Sequence, residues 1–65
     1  MSATATNMAE LEAALQNLLD TIARSERAIQ STAGLPMMAQ ISTVVDCMTS
    51  ISRADARYRL ARRAV

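Results

Sequence analysis

The ten residues from Ser31 to Gln40, "STAGLPMMAQ", decide how this chain folds. They contain the only glycine and the only proline of a 65-residue sequence, two positions apart. Gly34 suits the left-handed position that closes many helices, because it has no Cβ to clash there. Leu35 follows as the apolar residue that packs back on the last turn. Pro36 cannot continue a helix, but it suits the first turn of a new one, where its missing N–H is no loss. The stretch therefore reads as a stop followed at once by a start. So short a connection makes two helices antiparallel neighbours.

Working upstream, Met8, Leu11, Leu15, Leu18, Ile22 and Ile29 recur at alternating steps of three and four, with one position skipped at Ser25. This is a heptad seam of the kind found in coiled coils, and Leu19 widens it to a stripe of about 100°. The opposite face carries Glu12, Gln16, Asp20, Arg24 and Arg27. Asp20 and Arg24 stand in the favourable i,i+4 order for a surface ion pair. Asn7 is placed to cap the helix, with Glu10 three residues on to complete a capping box. The reading is a polar start over residues 1–7, helix 1 over 8–32 and a turn over 33–35.

Downstream, helix 2 is expected over residues 36–64. Met37, Met38, Ile41, Val44, Val45, Met48 and Ile51 spread over roughly 140° of its surface, more than helix 1 alone can cover. Methionine is adaptable and common where helices bind other helices, so these seven residues are the candidate protein interface. After Ile51 the apolar series moves to Ala54, Tyr58, Ala61 and Val65, rotated by about 100°. The change implies either a bend near Ser52 or a short third helix capped there with Asp55 in the box; a continuous bent helix is the preferred form. The fold class is all-α: an antiparallel two-helix hairpin that assembles into a larger helical bundle.

Composition narrows the function. Just over half of the residues, 51%, are hydrophobic, almost all of them aliphatic, and Tyr58 is the only aromatic. The chain is too apolar for a disordered tail and too short for more than one domain. One cysteine, Cys47, forms no internal disulfide. No histidine, one cysteine and six scattered carboxylates leave no metal set, and one glycine leaves no phosphate loop. The sequence points to no enzyme and no cofactor. Asp46 interrupts the longest apolar run, and no basic segment followed by an apolar core opens the chain, so a cytoplasmic location is expected, with secretion lacking a visible signal left open.

Charge is uneven. Residues 1–46 hold five carboxylates and two arginines, a balance of −3, whereas residues 47–65 hold five arginines and Asp55, a balance of +4. Arg53, Arg57, Arg59, Arg62 and Arg63 make a candidate basic patch. Folding at Gly34 would bring Arg57 and Arg59 near Glu10 and Glu12. Two function classes follow. The leading one is a helical interaction module, an accessory subunit, adaptor or chaperone-like partner that forms a homo-oligomer or binds a protein partner. The alternative is a small regulator that grips nucleic acid or an anionic membrane surface through the arginines. The layout is similar to that of type III secretion needle subunits, their co-chaperones and plasmid-copy-control hairpins. The similarity is of layout alone: the needle subunits' Pro-x-x-Pro turn is missing, and no function is carried over.

Overall fold

A computed structural model describes residues 3–65 and contains two helices, α1 (Ala3–Gln30) and α2 (Met37–Arg63), packed side by side and antiparallel. No strand occurs among the described residues. The Cα atoms fill 53 × 15 × 10 Å, a slab one helix thick. Such a slab shields any helix on one side only, and no large side chain among the described residues is fully buried.

The turn is built as its residue types require. Beyond Gln30 the helix tightens: Thr32 N–H bonds to the Ile29 carbonyl and Ala33 N–H to that of Gln30. Gly34 then takes φ +86°, the left-handed conformation, and Leu35 N–H closes the turn on the Thr32 carbonyl at 3.0 Å. Pro36, at φ −54° and ψ 148°, stands immediately before α2 rather than inside its first turn. Its carbonyl accepts the N–H groups of Ala39 and Gln40. The Gln40 side chain reaches back to the Leu35 carbonyl at 2.9 Å.

The interhelical seam is not the one expected. It consists of Asn7, Leu11, Ala14, Leu18, Thr21, Ser25 and Ala28 on α1 and Thr32 in the turn that follows, all buried or half-buried. Facing them are Gln40, Thr43, Cys47, Ile51, Ala54, Tyr58 and Ala61 on α2. The seam shares Leu11 and Leu18 with the apolar series, but the alternate positions are Asn7, Ala14, Thr21 and Ala28 in place of Met8, Leu15, Ile22 and Ile29. The physical reason is size. The separation of packed helices depends on the side chains between them, and alanine, serine and threonine let two backbones approach closely. Their hydroxyls are satisfied locally: Thr21 Oγ1 donates to the Asn17 carbonyl and Thr32 Oγ1 to that of Ile29. No buried side-chain polar atom among the described residues lacks a partner.

Two contacts between the helices fix their register. Cys47 Sγ donates to the Ser25 carbonyl at 3.8 Å, and Asn7 Nδ2 donates to the Ala64 carbonyl at 2.7 Å. Asn7 is thus an interior residue of α1 that ties the two chain ends together, not a helix cap. That tie, with the strong helix preference of alanine, accounts for a helix that begins at Ala3. Residues 1–2 of the expected polar start lie outside the described residues. α2 runs unbroken through Ser52, with Asp55 bound to Arg59 at 3.0 Å rather than closing a capping box.

Candidate interaction surface

Most of the large exposed apolar side chains lie on one broad face of the slab; Leu60, which lines a hollow with Glu10 and Arg57, stands on the other. On α1, Met8, Leu15, Ile22 and Ile29 each follow a seam residue by one position, which places them about 100° round the helix from the seam. On α2, Ile41, Val44 and Met48 also follow seam residues by one position. Stepping the same way round two antiparallel helices leads to the same side of the pair. Both stripes therefore open onto one face, with Leu19 at its margin on α1 and Met37 near the turn on α2. All of these side chains are exposed, from 36% for Val44 to 74% for Met37.

The other broad face is polar. The residues one step before the seam include Glu10, Asn17, Asp20 and Arg24 on α1 and Asp46, Ser50, Arg53 and Arg57 on α2. A hollow of about 600 Å³ on this side is lined by Arg24, Asp46, Arg53 and Arg57 together with seam hydroxyls. Asp20 accepts a bond from Gln16 Nε2 at 2.9 Å, and Arg24 donates to Thr21 Oγ1 at 3.3 Å. The expected Asp20–Arg24 pair is thus not formed. Glu10 and Arg57 line a common hollow, but the one ion pair among the described residues joins Asp55 and Arg59.

Of the seven residues expected to form an interface, Met37, Met38, Ile41, Val44, Val45 and Met48 are exposed and Ile51 is half-buried. Met38, the most open at 77%, and Val45 stand at the outer edge of the face rather than at its centre. The five arginines do not form one patch. Arg53 and Arg57 line the polar hollow, Arg59 is held by Asp55 at the margin of the apolar face, and Arg62 and Arg63 project from the last turn. Sequence reasoning missed that α1 contributes half of the apolar face. The available signal was the skipped position at Ser25, which fits a seam of small residues better than a seam of leucines. Among the described residues no group of histidine, cysteine or carboxylates is arranged to hold a metal ion. No helix among them is long and apolar enough to cross a membrane.

Compared with known protein families, curated proteins and solved structures, the chain matches none.

Proposed function

We propose that this chain is a non-enzymatic protein–protein interaction module of the cytoplasm, a helical hairpin that self-associates or docks into a larger helical assembly through its apolar face. In that role it serves as an accessory subunit, an adaptor or a chaperone-like partner. One observation carries the reading: an apolar face that runs along α1 from Met8 to Ile29 and continues on α2 from Met37 to Met48, on a slab that has no second layer to cover it. Monomeric proteins rarely leave contiguous apolar patches larger than a few hundred Å² in water. The arginine-based alternative draws less support, because the arginines divide between the two faces and one is already paired with Asp55.

Ile22→Glu and Met48→Glu test the proposal, one substitution in each stripe. A carboxylate forced against apolar neighbours without a counter-charge costs several kcal/mol, whereas at a water-exposed site it costs little. Both variants are expected to lose self-association or partner capture in sedimentation and pull-down measurements. Arg53→Gln with Arg57→Gln should retain it, and high salt should not dissolve it. Wild-type association by both face variants, with loss in the arginine variant, would sink the proposal in favour of an anionic ligand.

A further inference from the structure

We infer that the hollow on the polar face is a binding site for a small soluble phosphate monoester, held as a dianion by Arg24, Arg53 and Arg57. The inference does not rest on the apolar face, which lies on the opposite side of the slab.

Register brings the three arginines together. The Asn7–Ala64 and Ser25–Cys47 contacts set Arg24 level with Cys47 and Met48, Arg53 with Leu18 and Leu19, and Arg57 with Ala14 and Leu15. Helical side chains lean toward the N-terminus of their own helix, so in an antiparallel pair the two sets lean in opposite directions. Arg24 leans toward the open end, where it bonds to Thr21 Oγ1 at 3.3 Å. Arg53 and Arg57 lean toward the turn. Three guanidinium groups from two helices therefore converge on the stretch around Asn17 and Thr21, and all three line one hollow of about 600 Å³. Asn17 and Ser50 line it too and add uncharged donors.

Charge defines the occupant. Among the described residues no ion pair engages any of the three arginines. Asp46, the one carboxylate that lines the hollow, leans toward the turn and stays beyond them. Glu10 leans toward the open end, and Asp20 is held by Gln16 Nε2. Arg53 and Arg57 stand four residues apart on one helix, a like-charge spacing that destabilises a helix by itself. Three arginines against one carboxylate leave a balance of +2 in the hollow. A phosphate monoester, at about −1.5 to −2 near neutral pH, answers that balance, whereas a single carboxylate leaves part of it unmet. The planar guanidinium also matches phosphate oxygens in pairs. A membrane or nucleic-acid surface fits less well. It would cover the whole polar face, where Glu10, Asp20 and Asp46 offset most of the arginine charge. The volume suits a small molecule, and none of the residues lining the hollow is aromatic, so recognition rests on the phosphate and not on a stacked base.

The experiment titrates the full chain with phenyl phosphate at fixed ionic strength and follows backbone amides by nuclear magnetic resonance. Saturable shifts are expected at Thr21, Arg24, Ser50 and Arg53, with those of Met8 and Ile29 unmoved. Benzoate, which has the same ring and one negative charge, should bind about tenfold more weakly. Arg24→Gln, Arg53→Gln and Arg57→Gln should each raise the Kd about three- to tenfold. Asp46→Asn should lower it about twofold, because it removes the opposing charge. Arg62→Gln removes the same charge as the other arginine variants, but from the last turn outside the hollow, and should change the Kd less than about twofold. Should a glutamine variant lose its helical circular dichroism, Asp46→Asn and the benzoate comparison still decide. Equal affinity for benzoate, an equal loss in Arg62→Gln, weaker binding in Asp46→Asn or no saturable shift would each overturn the site. Capture by vesicles that contain phosphatidic acid, without binding of phenyl phosphate, would overturn the soluble ester in favour of a lipid headgroup.

Discussion

Ala14→Leu separates the small-residue seam from the leucine seam that the spacing of large residues suggests. Ala14 is 4% exposed and lies level with Arg57 and Tyr58, between Ala54 and Ala61 of α2. Ala54 is 5% exposed, so small buried residues line both sides of the seam. Leucine adds three carbons where α2 already covers the side chain, and either the helices must part or the side chain must turn out of the seam toward the hollow lined by Glu10, Arg57 and Leu60. Overpacking of this kind costs about 1–3 kcal/mol, and the intrinsic helix preferences of alanine and leucine differ too little to matter. For a chain of this size each kcal/mol lowers the thermal midpoint by about 4–8 °C, so a fall of roughly 5–20 °C is expected. The assay is thermal unfolding followed by circular dichroism at one fixed chain concentration. Ala13→Leu is the control: the same exchange one residue away, at an exposed position, should move the midpoint by only a few degrees. If the helices met through Leu15 instead, position 14 would stand at the edge of the contact and leucine would be neutral or stabilising. A midpoint that is unchanged or raised refutes the small-residue seam.

Gly34→Val should destabilise the hairpin by more than about 1 kcal/mol, because a β-branched residue resists the left-handed φ of +86°. No atom lies within 4 Å of a Cβ built at Gly34, so the penalty is one of backbone conformation alone, and Gly34→Asn should cost clearly less when melting midpoints are compared. Asn7→Ala removes the bond to the Ala64 carbonyl at the open end. Amide exchange in the last turn of α2 should speed up there, while global stability falls by no more than about 1 kcal/mol.

The hairpin itself was legible because its punctuation is strong. One Gly-x-Pro unit in an otherwise helix-favouring chain leaves few alternatives, and the left-handed Gly34 follows from it. The seam was harder to read because hydrophobic spacing reports which residues avoid water, not which partner removes them from it. Leu11 and Leu18 belong to both possible seams, and the choice falls to Ala14, Thr21 and Ser25, whose small size carries no signal on a hydropathy scale. The ion pairs failed for a related reason. Glu10 and Arg57 were rightly brought to one side, but exposed pairs gain too little to hold two long side chains in contact. Of the surface, the stripe on α2 was visible from its excess width. Its extension onto α1 is hidden because the heptad spacing of Met8, Leu15, Ile22 and Ile29 fits an interhelical seam equally well.

The small-residue seam also bears on heat capacity. Unfolding raises heat capacity mainly through newly exposed apolar area. Closing this hairpin buries alanines, hydroxyls and one thiol and covers Leu11, Leu18, Ile51 and Tyr58 only in part, so the lone hairpin should show a small change and a shallow dependence of stability on temperature. The larger heat-capacity change belongs to whatever process covers Met48, Ile22 and their neighbours.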